Sequence, residues 1–279
     1  MWASRPTWRP CSSVSRPDTG GACTLNFEER GSGRPLVILH GLLGSLANWR
    51  GVARALAVRF RVVSLDARNH GRSPHTAVHG YPAMAADTAA TIESLGLGPS
   101  TVIGHSMGGK TAMTLALMRP DLVERLVVLD IAPRAYLEAE GTADVVRALA
   151  EIDLSDVSGR GDVEARLATA VPDAGMRAFL MMNLRRQGEE GFSWRCNLET
   201  LVRCGREIAM EVESEEAYRG PALFVRGGWS RYVTGSDDAR IRTLFPAADI
   251  LTLPEAGHWL HVEAPEALVD CVARFAAAD

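Results

Sequence analysis

The octapeptide Gly104-His105-Ser106-Met107-Gly108-Gly109-Lys110-Thr111 carries chemistry of two kinds at once. Read as G-x-S-x-G, it is a nucleophile elbow, a strained strand-to-helix turn that lifts the Ser106 hydroxyl clear of a sheet. The glycines two residues before and two after leave room for that turn, because a side chain there would collide with backbone. Read as G-x-x-x-x-G-K-T, the same residues form a phosphate loop in which Lys110 reaches nucleotide phosphates. Leu126–Asp130 (LVVLD) even supplies an acidic strand end of the kind that holds magnesium in NTPases. The local pattern does not choose.

The outer motifs do. A serine hydrolase needs a histidine base, an acid to orient it, and backbone donors for the oxyanion. His40-Gly41-Leu42-Leu43-Gly44 follows a strand and places the Leu42 N–H where it pairs with the Met107 N–H as an oxyanion hole. Ala256-Gly257-His258-Trp259 follows the last strand, on a loop able to return His258 to the elbow. The order serine, acid, histidine along the chain is that of the elbow-type hydrolases. An NTPase leaves both outer motifs unexplained and usually carries its phosphate loop near the first strand, not the fourth. The phosphate-loop pattern is therefore an accidental overlap.

Strand and helix must alternate to position these residues, and from residue 22 they do. Thr24–Glu29 suggests an edge strand. Leu36–His40 is wholly apolar, as in a strand buried on both faces. Trp49, Val52, Ala53 and Leu56 repeat at helical spacing. The pattern predicts strand Arg61–Asp66, helix Pro82–Leu95, strand Thr101–Gly104, helix Met107–Met118 and strand Leu126–Asp130, with Pro82 at a helix start where proline is tolerated. Residues 134–218 are charged, glycine-containing and helical in pattern, with no convincing strand, and are too long for a plain loop. Alternation then resumes with strand Ala222–Arg226, helix Asp237–Leu244, strand Asp249–Leu253 and a last helix whose Leu268, Cys271, Val272 and Phe275 share a face. Repeated βα units imply an α/β fold with a mostly parallel sheet flanked by helices. The 134–218 stretch becomes a helical cap insert on one domain that runs from residue 22 to 279.

Composition narrows the function classes. The 279 residues are 47% apolar and 23% charged, which excludes wholesale disorder. A net charge of −4 is no footprint for a nucleic-acid partner. No apolar run approaches a membrane span. The cysteines (11, 23, 196, 204, 271) are odd in number and scattered, so reduced thiols in a cytoplasmic setting are the default. Residues 1–21 form a separate extension with Arg5, Arg9, Arg16 and no acid before Asp18. They suggest a disordered tail, or alternatively a transit peptide that would direct the chain to the mitochondrial matrix.

HGLLGSLANW (40–49), DARNHGRSPH (66–75), GHSMGGKTAM (104–113), LDIAPR (129–134) and EAGHWLHVEAPEAL (255–268) together resemble the α/β-hydrolase superfamily. Within it they resemble a branch of small bacterial esterases and mitochondrial hydrolases. The resemblance spans residue 24 to the end and is weakest in the cap. It implies the α/β-hydrolase fold, esterase-type activity and no cofactor. One position departs from the commoner pattern. Most members of the wider superfamily place the triad acid shortly after the strand at 222–226, three residues before a valine, and here Ser230 stands there, before Val233. A serine cannot stabilise the imidazolium that forms during attack. Asp130, at the end of the strand after the elbow helix, is the leading candidate, and the resemblance points there too. Asp237, Asp238 and Glu199 are the rivals, while Asp66 is read as tying down the 66–73 loop.

The remaining histidines weigh less. His105 lies inside the elbow and packs or hydrogen-bonds structurally, and His40 braces the oxyanion loop. His70, His75 and His79 share a polar connection without the carboxylate spacing of a metal site. His261, three residues beyond His258, lacks the Gly257 hinge. Leu42, Leu43, Trp259 and Leu260 are candidates for the wall of an acyl pocket. The resulting expectation is a serine hydrolase that cleaves small to medium acyl esters or thioesters through Ser106, His258 and Asp130 and an acyl-enzyme. The other class in view is a non-catalytic homologue that binds a ligand or an acyl-protein. A serine nucleophile argues against epoxide hydrolysis or dehalogenation, which use aspartate on this fold. Oligomeric state leaves no trace in the sequence.

Overall fold

The computed structural model describes residues 21–137, 142–188 and 191–278. The expectations for residues 1–20 therefore lie outside the described residues. Seven strands form one sheet in the order β1-β3-β2-β4-β5-β8-β9. They are β1 (Phe27–Arg30), β2 (Pro35–Leu39), β3 (Arg61–Leu65), β4 (Ser100–His105), β5 (Val123–Leu129), β8 (Ala222–Gly227) and β9 (Ala248–Leu253). Only β1 runs antiparallel, and it caps the edge beside β3. The rest are parallel, each reached through a crossover.

Alternation along a strand sends successive side chains to opposite faces, and the two hydrophobic cores follow from it. Leu36 and Ile38 of β2 join one cluster, with Trp49, with Val52 and Leu56 of α1 (Arg50–Leu56), and with Leu268 and Val272 of α11 (Pro265–Ala277). Val37 and Leu39 join the other, with Ala85 and Ala89 of α2 (Tyr81–Ser94) and Met113 and Ala116 of α3 (Met107–Met118). Both faces are covered, which is why β2 is apolar throughout and every residue of β4 is buried.

Boundaries differ slightly from the pattern-based expectation. The edge strand starts at Phe27 rather than Thr24, because only Phe27–Arg30 pairs with β3. A separate short helix, α10 (Leu260–Glu263), precedes the last one and holds His261.

Between β5 and β8 the chain forms α4 (Thr142–Ala150), α5 (Arg160–Ala170), α6 (Ala174–Met181), α7 (Leu198–Arg203) and α8 (Gly205–Ala209). It also forms a hairpin of β6 (Leu184–Arg186) and β7 (Phe192–Trp194), which the sequence pattern did not anticipate. Three residues per strand are too few to display a period of two. This insert has its own core of Val146, Leu149, Val163, Leu167, Leu180 and Leu201, into which Leu43 of the loop after β2 is also packed. α9 (Asp238–Leu244) completes the second half of the fold. No helix among the described residues is long and apolar enough to cross a membrane.

Candidate active site

Ser106 stands between β4 and α3 with φ 53° and ψ −117°, a conformation a non-glycine residue adopts only under compulsion. The compulsion is visible in its neighbours. A Cβ on Gly104 would lie 2.1 Å from the Gly108 carbonyl oxygen, and one on Gly108 would lie 2.4 Å from the Leu39 oxygen. Helix α3 thus sits directly on the ends of β2 and β4, and the chain has room for the bend only because both positions lack side chains. The Ser106 N–H donates to the Leu129 carbonyl at 3.1 Å, which fixes the apex against the end of β5.

One residue past that contact point the chain presents Asp130, buried and with φ 49°. One carboxylate oxygen, Oδ1, accepts from the Gly227 N–H at 2.9 Å. The other, Oδ2, accepts from His258 Nδ1 at 2.7 Å and also from the Ser230 hydroxyl. With Nδ1–H committed to the carboxylate, Nε2 is the basic nitrogen of the neutral ring. The Tyr232 ring lies nearly parallel to the imidazole, with centroids 3.8 Å apart. The His105 ring approaches to 4.7 Å and its Nε2–H donates to the His258 carbonyl at 2.9 Å. Burial, reinforced by His258 and His261 nearby, holds the His105 pKa well below the usual histidine value, so it stays a neutral donor.

Ser106 and His258 line one cavity of about 190 Å³, walled by Leu42, Leu43, Trp49, Phe179, Leu180 and Trp259. Among the described residues Ser106 Oγ makes no hydrogen bond, so the hydroxyl is free to turn to the ring. Such contacts often tighten only when substrate is bound. The loop after β2 is set by two histidines. His40 accepts the Ala67 N–H at Nε2 (3.0 Å) and donates from Nδ1 to the Gly41 carbonyl (2.7 Å). His70 Nε2 accepts the Leu43 N–H at 3.1 Å. The Leu43 and Gly44 N–H groups are thereby consumed, the latter by Gly41. The Leu42 and Met107 N–H groups keep no acceptor among the described residues, as an oxyanion hole requires.

The rival residues lie elsewhere. Asp237 pairs with Arg134 at 2.9 Å and accepts the Thr234 N–H. Asp238 pairs with Arg226 at 3.0 Å, and Glu199 is an exposed partner of Arg203. Asp66 accepts the Leu46 and Arg72 N–H groups and the Asn26 amide, which ties its loop down. His261 stacks on Trp49 at 4.4 Å, and burial pushes its pKa down to about 4. His75 bonds the Arg195 carbonyl, whereas His79 lies against Asn69 with its ring 5.4 Å from that of His70. Leu260 corrects one expectation: it is fully buried in the core with α1 and α11 and does not wall the cavity. Lys110, the phosphate-binding residue of the other motif reading, sits against the Ala209 and Met210 carbonyls and the Tyr136 ring.

Three features escaped the sequence: the Ser230 donor, the Tyr232 stack and the His70 brace. Only Ser230 left a trace, by occupying the place where an acid was looked for.

A family model described as alpha/beta hydrolase fold matches residues 34–265. The chain is similar to a mouse protein named sn-1-specific diacylglycerol lipase ABHD11, with 43% identity across 87% of this chain and 80% of the relative. It is similar to the Escherichia coli esterase YbfF, at 35% identity over 86% and 92% of the two chains. Among solved structures it is similar to a marine microorganism esterase, with a TM-score of 0.89 and 37% identity over 91% of this chain and all (100%) of that one.

Proposed function

The chain belongs to the α/β-hydrolase family and acts on carboxylic esters, and from that premise we propose that Ser106, His258 and Asp130 are its triad. His258 Nε2 takes the proton of Ser106 Oγ as the oxygen attacks the carbonyl carbon. Asp130 holds the ring in the tautomer that leaves Nε2 basic and stabilises the imidazolium. The Leu42 and Met107 N–H groups receive the developing oxyanion, each worth on the order of 3 kcal/mol by analogy with removing one such donor. His258 then protonates the departing alcohol or thiol, and water, activated by the same ring, releases the acid from Ser106.

The observation that carries the reading is the 2.7 Å contact between His258 Nδ1 and Asp130 Oδ2, on a ring that shares a cavity with a strained serine. Apolar walls of about 190 Å³ suit a short to medium acyl or alcohol group, whether oxygen ester or thioester. The test is an acyl-chain series on the purified chain, with oxygen esters and thioesters measured side by side for the native sequence and Ser106→Ala. Turnover that vanishes with Ser106→Ala and peaks below about ten acyl carbons supports the proposal, given the cavity's size. Turnover that survives Ser106→Ala refutes it.

A further inference from the structure

Ser106 faces two cavities, not one. Leu42, Ser106 and Tyr232 also line a second space of about 220 Å³ on the α3 side of the elbow. Its character differs from that of the first. Lys110, Arg147 and Arg206 all line it, and among the described residues no Asp or Glu does. Arg147 has an exposed partner in Asp144 at 3.1 Å, whereas Arg206 has no carboxylate partner among the described residues.

Lys110 is the unusual member. It is almost wholly buried and rests against the Tyr136 and Tyr81 rings at 4.8 and 5.5 Å. Its hydrogen bonds go to the carbonyls of Ala209 and Met210, which carry only partial charge. Desolvation, with Arg134 and Arg240 adding repulsion and Glu211 opposing them, lowers its pKa to about 7. A buried ammonium without a carboxylate is costly, and an anion bound beside it relieves that cost. An apolar wall on one side of the nucleophile, with two guanidiniums on the other and an amine whose charged form a bound anion would favour, describes a substrate with two unlike ends.

We propose that the second cavity is an anion subsite, which takes a carboxylate or phosphate carried a few atoms from the scissile carbonyl while the first cavity takes the apolar end. The inference rests on Ser106 as the attacking group. It extends the substrate class from plain esters to esters or thioesters with an anionic oxyacid at one end.

Binding is measured by calorimetry on Ser106→Ala, so that affinity is read without turnover. Four probes share one scaffold: neutral 4-nitrophenyl pentanoate, mono-4-nitrophenyl glutarate, 4-nitrophenyl 4-phosphonobutyrate and 4-carboxyphenyl pentanoate. The second and third distinguish carboxylate from phosphate, and the fourth moves the charge to the alcohol side. At least one anionic probe binds tenfold or more tightly than the neutral one, and the preference shrinks with added salt. Arg147→Gln with Arg206→Gln, both on the exposed rim, cuts that preference at least threefold. Lys110→Met abolishes it, and if that variant fails to fold the arginine pair still decides. Equal affinity for all four probes, or a preference untouched by the arginine changes, overturns the subsite. Loss of ester turnover in the native chain with the anion preference intact would instead count against the hydrolase reading alone.

Discussion

Ser230 donates its hydroxyl to the same Asp130 oxygen that receives His258 Nδ1. The residue at the position where an acid was expected is instead a donor to an acid supplied by the neighbouring strand. β5 and β8 are paired, with Leu129 opposite Val225, so the ends of the two strands deliver Asp130 and the 227–230 turn to one spot. A carboxylate reaching the ring from either strand end meets the same imidazole nitrogen.

That relationship yields a rescue experiment. Asp130→Asn should lower kcat by about 10⁴, as loss of the orienting carboxylate does in other triads, while Asp237→Asn leaves turnover nearly intact. Ser230→Asp alone crowds a second carboxylate against Asp130 and should reduce activity. Combined with Asp130→Asn, it restores a charge beside His258, and kcat should recover at least tenfold over Asp130→Asn. Steady-state kinetics on the four variants, with circular dichroism to verify folding, checks the set.

Acid stability follows from the buried histidines. Burial holds His40, His70 and His105 below their ordinary value, and brings His79 to about 3 and His261 to about 4. Below pH 6.5 the unfolded chain binds protons at these sites and the folded chain does not, so stability is fully present above 6.5 and is lost as pH falls. Each such histidine contributes a slope of up to about 1.4 kcal/mol per pH unit. Lys110 adds a second window of the same sign, from about 7 to its ordinary 10.5, because its folded pKa is lowered. Urea unfolding should show stability that rises in the lower window and again from about 7 to about 9, above which the raised thiols of Cys23 and Cys196 act with the opposite sign, and Lys110→Met should flatten only the rise between 7 and 9.

Arg68 and Asp87 form a fully buried pair at 2.6 and 2.7 Å that anchors the 66–80 connection to α2. Removing one partner leaves an uncompensated interior charge, so Asp87→Ala should cost about 3–5 kcal/mol. A shift in the urea midpoint at constant slope measures it. Arg68→Met with Asp87→Leu should recover most of that loss.

Much of the fold was written in the sequence because the central strands are buried on both faces. Leu36–Leu39 and Leu126–Leu129 admit no polar residue, and a run so short and apolar between turns has few alternatives. The elbow was equally plain, since Gly104 and Gly108 are required by contacts of the backbone with itself. The insert was harder. Its hairpin is three residues a side, and its core assembles from helices distant in sequence. Within the site, sequence order pointed to Ser106 and His258, whereas the support around them is tertiary. Tyr232 and His70 meet their partners across loops that no local pattern links, and the cationic cavity exists only where α3 meets α4 and α8.

Ser106 is the residue expected to become acylated. Rapid acid quench of the chain with 4-nitrophenyl butyrate, followed by mass mapping of the peptides, reads this directly. A butyryl group on the Ser106 peptide, formed within the burst and more persistent in Asp130→Asn, is the result expected. A butyryl group on a different residue, or steady turnover in which no acylated peptide is ever found and which Ser106→Ala leaves unchanged, would contradict it.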